Sequence, residues 1–196
     1  MTKLILASGS AIRARLLSAA GVAFEIVRPE VDEAAIKARA REAGLSLREV
    51  AQRLADAKAC AVDRRGALVL GSDQIMTFEG RGYDKPRSMA EARERLALLQ
   101  GKPHTLINAV SIARAGEIVF RRVDEPRLHM RAMRDDEIAA YLAAAGEGIL
   151  DSVGAYQVEA LGARLFERID GDFFAVLGLS LLPVLGYLRA EGLLEY

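Results

Sequence analysis

The 196-residue sequence predicts an α/β fold with a mixed sheet and helices on both faces. Short apolar runs bounded by glycine, proline or polar residues alternate with segments of helical apolar spacing. Tight-turn signals at Glu79-Gly80-Arg81-Gly82 and Ala115-Gly116 imply antiparallel connections. The alternation lacks strict βαβ regularity, which argues against a purely parallel sheet.

The elements follow in chain order. Residues 3–7 form a short apolar strand. Residues 10–20 form a helix ended by Gly21, with Ser10 at the N-cap, where its hydroxyl can accept an orphan amide. A second strand at 23–28 is closed by Pro29, and Glu30-Val31-Asp32-Glu33 reads as an acidic loop. Residues 46–64 carry a strong helical pattern, capped by Ser46 and stopped by Arg64-Arg65-Gly66. Leu68 to Asp73 is a buried strand ending in polar residues. Ser88 to Leu99 is a helix with Ser88 and Glu91 at capping-box spacing. Residues 105–113 and 117–130 read as paired strands, and 135–145 as a helix broken by Gly146 and Gly148. Residues 163–169 form a short strand and 177–191 a closing apolar helix. With no repeat, low-complexity tract or linker, residues 1–196 read as one domain.

The apolar fraction of 52% supplies a packed interior, while the charged residues sum to a net charge of zero. No global basic field draws the chain to nucleic acid or an anionic membrane, so any phosphate site must be local. No apolar run approaches the roughly 20 residues of a membrane helix, and the N-terminus reads as a strand, not a signal peptide. The single cysteine, Cys60, excludes an intramolecular disulfide framework and suits a reducing, cytoplasmic setting.

Chemistry concentrates in a few places. Ser10 and Arg13 share the first turn of a helix that follows the Ser-rich turn Ser8-Gly9-Ser10. Hydroxyls, backbone amides, the helix dipole and a guanidinium together suit a phosphate. Asp73 stands where an apolar strand stops and can hold a cation or orient a water. Taken alone, Glu30, Asp32 and Glu33 read as a solvated loop; together with Asp73 they would make an oxygen-rich Mg²⁺ site. Lys58 lies among alanines in the long helix, and Lys85 precedes Pro86, which favours an extended backbone there. His104 and His129 lack metal-ligand spacing. Cys60 falls in an apolar helical pattern and reads as buried packing. The usual glycine-rich nucleotide loops are absent.

Taken in order, these patches resemble the Maf family of nucleoside triphosphate pyrophosphatases over nearly the whole chain. The resemblance rests on Leu6-Ala7-Ser8-Gly9-Ser10 with Arg13, Glu30-Val31-Asp32-Glu33, Lys58, Gly71-Ser72-Asp73-Gln74 and Lys85-Pro86. It continues through Gly154-Ala155-Tyr156, Leu165 to Gly171, and Gly178-Leu179. It implies an elongated mixed sheet, with two lobes around a central cleft, as in the inosine-triphosphate-pyrophosphatase-like fold. It also implies hydrolysis of a nucleoside triphosphate to monophosphate and pyrophosphate with a divalent cation, Mg²⁺ or Mn²⁺. By that likeness Asp73 is the proton acceptor, Ser8, Ser10, Arg13, Lys58 and Lys85 meet the phosphates, and Glu33 and Asp73 hold the metal.

Three positions sort the base in that family: here Ile12, Gln74 and Glu159. Gln74 and Glu159 are similar to the branch acting on 7-methyl-GTP, where a carboxylate favours a cationic methylated guanine. Ile12 replaces the large or charged side chain usual there, a stacking surface in that branch. Ala11 and Ser180 stand where the family usually has proline. The alternatives are a pyrimidine (dTTP/UTP) pyrophosphatase and a nucleotide-binding regulator of septum formation with incidental turnover. A homodimer also follows from the resemblance; a nucleic-acid partner does not fit the neutral charge.

Overall fold

The structure, a computed structural model, describes residues 3–64 and 66–196. Eight strands and seven α-helices lie among them. The first part of the chain holds β1 (Lys3–Ala7), α1 (Ala11–Ala19), β2 (Phe24–Val27), α2 (Glu33–Glu42) and α3 (Leu47–Cys60). The middle holds β3 (Ala67–Phe78), β4 (Arg81–Tyr83), α4 (Met89–Leu99), β5 (Pro103–Arg114), β6 (Glu117–Asp124) and β7 (Arg127–Met130). α5 (Asp135–Ala145), β8 (Phe166–Asp170), α6 (Phe173–Val176) and α7 (Leu181–Ala190) complete it.

The sheet is mixed, as the sequence predicts. Its strand order is β2-β1-β3-β5-β7-β8, with β4 paired to β3 and β6 to β5. β1 runs parallel to β2 and β3. β4 is antiparallel to β3, β6 and β7 to β5, and β8 to β7.

Several elements depart from the sequence expectations. The acidic stretch is not all loop. Asp32 caps α2 by accepting the Ala35 N–H at 2.9 Å, and Glu33 is the helix's first residue. α3 ends at Cys60, short of residue 64, and Arg65 of the expected stop lies outside the described residues. β3 does not stop at Asp73 but runs on to Phe78. The expected strand 117–130 is two strands, interrupted at Glu125-Pro126, where proline has no N–H to donate to a ladder. Residues 161–165 form a 3-10 turn before β8. The closing helix is broken at Gly178, whose φ of 94° belongs to the left-handed region and cannot continue a helix.

Two compact units divide the chain. The first comprises the described residues of Met1–Gln74, with Asn108–Asp124 and Gly178–Tyr196. In it, Ile5, Ala7, Val62, Ala67 and Val69 pack together, and α3 buries Val50, Ala51, Leu54, Ala55 and Ala59. The second comprises Ile75–Ile107 and Glu125–Leu177, with a core that includes Met76, Leu96, Leu106, Leu128, Ile138 and Tyr156. Among the described residues no helix is long and apolar enough to cross a membrane.

Candidate active site

In the first unit the parallel register places the site. Ala7, the last residue of β1, pairs with Gly71 of β3. Ser8 therefore leaves the sheet beside Ser72, while β3 carries Asp73 and Gln74 beyond the end of its neighbour. Ligand groups in α/β sheets gather at such carboxyl ends.

Arg13 reaches back from α1 to this point. Its Nη1 donates to Ser8 Oγ at 3.1 Å and to the Ser72 carbonyl at 3.0 Å. Its Nε donates to the Gly178 carbonyl at 2.7 Å. Each acceptor is neutral, so the guanidinium is held without being neutralised by them. Burial lowers the Arg13 pKa from its ordinary value, and the nearby Asp73 and Glu33 charges act the other way.

Ser10 stands at the N-cap of α1 as expected, yet its side chain makes no capping bond. Its N–H instead donates to Ser8 Oγ at 3.2 Å, so Ser8 organises the turn and also contacts Arg13.

Lys58 comes from the last turn of α3. Its Nζ donates to Asp73 Oδ1 at 2.6 Å and lies 2.8 Å from Glu33 Oε1. The Lys58 and Asp73 side chains are largely buried, whereas Glu33 is more open. This contact depends on a close approach of helix and strand. A Cβ on Gly71 would sit 2.4 Å from the Ala55 carbonyl oxygen and 2.5 Å from the Ala59 nitrogen. Glycine lets α3 lie directly against β3, and Lys58 then reaches Asp73.

Ser8, Arg13, Glu33, Lys58 and Asp73 thus converge within one unit. Ser10, Ile12 and Gln74 belong to the same unit, the last two half-buried on α1 and β3. Glu30 is exposed, and the Asp32 side chain is engaged in capping α2. Lys85 and Glu159 lie in the second unit. Lys85 is exposed on the irregular segment after β4, with Nζ 3.9 Å from Asp151 Oδ1. Glu159 is exposed on a turn, and its charge adds to the burial that pushes the Tyr141 hydroxyl up to about 12.

Cys60 corrects an expectation: it is exposed, its thiol donating to the Gly116 carbonyl at 3.3 Å, because it falls at the end of α3 off the buried face. Sequence reasoning also missed Ser72 and Gly178 as partners of Arg13. Both stood within quoted motifs, but their contribution is made by backbone carbonyls, which residue identity does not display.

Two acids and two bases leave the cluster formally balanced. A polyphosphate would add several negative charges, which Arg13 and Lys58 alone would meet incompletely. Among the described residues no group of three or more His, Cys, Asp or Glu is placed to hold a metal. Glu33 and Asp73 nevertheless converge on one cation, the Lys58 ammonium. Two carboxylates suit Mg²⁺, which characteristically takes one or two together with substrate phosphates and waters.

A mixed sheet with a Ser/Arg/Lys/Asp cluster at the end of its parallel strands defines an α/β protein with a charged site at the carboxyl ends of those strands. Comparison with known proteins makes this specific: the model of the Maf-like protein family matches residues 3–191, and the chain belongs to the Maf family. A curated relative from Rhizobium meliloti (strain 1021), named 7-methyl-GTP pyrophosphatase, is 46% identical over 194 residues, covering 98% of each chain. One from Nitrobacter hamburgensis, named nucleoside triphosphate pyrophosphatase, is 47% identical over 98% of this chain and 95% of its own. A third, from Maricaulis maris and of the same name, is 45% identical over 100% of both chains.

Proposed function

We propose that this chain hydrolyses a nucleoside triphosphate, 7-methyl-GTP foremost, to the nucleoside monophosphate and pyrophosphate. The observation that carries the reading is the convergence of Ser8, Arg13, Glu33, Lys58 and Asp73 in one unit. Asp73 receives the proton of the attacking water. The water oxygen bonds to the α-phosphorus, and the bond from that phosphorus to the α–β bridging oxygen breaks. Arg13 and Lys58 bind the triphosphate and offset the charge that develops on the leaving pyrophosphate. Ser8 holds Arg13 in place, and Ser10 and Lys85 are proposed as further phosphate contacts. A divalent cation on Glu33 and Asp73 supplies further charge neutralisation when bound. The base preference rests on Gln74 and Glu159, which match the 7-methyl-GTP pattern, and on the name of the Rhizobium meliloti relative.

Pyrophosphate release tests this, with Mg²⁺ or Mn²⁺ and a panel of 7-methyl-GTP, GTP, dTTP, UTP, CTP and 5-methyl-UTP. The highest kcat/KM is expected for 7-methyl-GTP, with loss of turnover on chelation. Asp73→Asn should lower kcat by about 10²-fold or more. A wild-type rate in Asp73→Asn, or nucleotide binding without release, would overturn the hydrolytic reading. Preference for pyrimidine triphosphates would overturn the base assignment alone.

A further inference from the structure

Behind the Arg13 guanidinium lies a set of buried neutral polar groups with no part in the hydrolysis reading. Ser72 on β3, Asn108 on β5 and Ser180 before α7 are each 0% exposed. Ser72 and Asn108 meet at the Gly178 carbonyl, and Ser180 backs Asn108. That oxygen accepts Arg13 Nε–H at 2.7 Å and the Ser72 hydroxyl at 3.0 Å. In the amide orientation that pairs both its ends, Asn108 donates to the same carbonyl at 2.9 Å. Its own oxygen then accepts from Ser180 Oγ at 3.0 Å and Ser180 N–H at 3.2 Å.

Gly178 lies in a turn between α6 and α7, outside any helix or strand. No ladder fixes its carbonyl direction, and its positive φ is a conformation that only glycine adopts without strain. The direction is set instead by donors from two sheet strands. The same carbonyl then fixes the far side of the guanidinium, while Ser8 and the Ser72 carbonyl fix the near side. Buried hydroxyls and amides are costly unless paired, so each member of this set constrains the next.

We propose that Ser72 and Asn108 are positioning residues for Arg13: by fixing the Gly178 carbonyl they hold the guanidinium in one orientation, ready for a phosphate anion. The proposal rests on the reading of Arg13 as a phosphate-binding residue. Removing the Ser72 hydroxyl leaves every direct acceptor of Arg13 in place, yet takes away one of the two donors, Ser72 and Asn108, that direct the carbonyl on which Nε depends. The loss therefore falls on preorganisation, and it weakens binding of the triphosphate and of free pyrophosphate alike.

The test uses full-length protein labelled with ¹⁵N-arginine. Solvent exchange of Arg13 Nε–H is read by NMR, pyrophosphate affinity by calorimetry, and KM and kcat by pyrophosphate release. Ser72→Ala is the main variant, Asn108→Ala the second, and Arg13→Lys identifies the Nε–H signal by its absence. Ser72→Ala is expected to speed Nε–H exchange and to raise the pyrophosphate Kd and the KM about five- to tenfold. Its kcat should fall as well, by no more than the rise in KM, because Arg13 also offsets the charge on the leaving pyrophosphate. Unchanged exchange in Ser72→Ala, or faster exchange with unchanged pyrophosphate affinity, would overturn the proposal. Should wild type bind pyrophosphate but hydrolyse no nucleotide, the hydrolytic reading fails, while exchange and affinity still decide the positioning role.

Discussion

At the scale of single residues, Gly71 shows how a missing side chain builds a site. Lys58 can bridge Asp73 and Glu33 because α3 packs onto β3 with no Cβ between them. The atoms a methyl would meet are backbone, the Ala55 carbonyl and the Ala59 nitrogen and Cα, so no flexible side chain can yield. Gly71→Ala should therefore force the helix from the strand, costing about 1–3 kcal/mol or more by overpacking. It should also draw Lys58 away from Asp73. Urea unfolding would show the lost stability, and the kcat of the surviving folded fraction should fall with it. A variant of wild-type stability and rate would mean that α3 does not need this contact. Asp73, by contrast, tolerates burial in the middle of a strand because Lys58 meets its charge there.

At the scale of elements, α3 was legible because its signals agree. Ser46 Oγ accepts the Glu49 N–H at 3.3 Å, and the Glu49 carboxylate accepts the Ser46 N–H at 2.8 Å, before a five-residue apolar face. Ser46→Ala should cost about 1 kcal/mol in chemical denaturation. The change lies at the far end of α3 from Lys58, so kcat should be unchanged; a fall in kcat at full stability would show that the cap positions the site. α2 was illegible for the opposite reason. Only Ala40 of Glu33–Glu42 is buried, so the sequence carries no apolar stripe, and its capping aspartate looked like one more acid in a loop. The extension of β3 was hidden because Asp73 and Gln74 read as a polar strand end. The side chains of the candidate site were named from motif order. Two of the three acceptors that orient Arg13 were not, since they are main-chain carbonyls brought together by register and by the turn at Gly178.

At the scale of the whole molecule, equal numbers of acidic and basic residues give a net charge of zero near neutrality, and acid upsets more than this balance. His104, in the second unit, is 2% exposed, with Nε2 2.5 Å from the Tyr156 hydroxyl. Burial, reinforced by His129, lowers its pKa from 6.5 to about 4. The native state therefore keeps this ring neutral while the unfolded chain protonates it. Stability is full above the unfolded pKa and is lost as pH falls from about 6.5 towards 4. Several surface carboxylates, Asp136, Glu137 and Asp170 among them, are instead held below their ordinary values. Their stabilisation fades only at pH values below the histidine window. Between pH 7 and 5 the buried imidazole should dominate, with a loss of about 2 kcal/mol in urea unfolding. His104→Phe keeps the ring packing against Phe166 and Tyr156 but cannot titrate. It should begin less stable at pH 7, because Tyr156 loses its partner, and then show a much flatter profile down to pH 5. An equally steep profile in His104→Phe would assign the acid sensitivity to other groups.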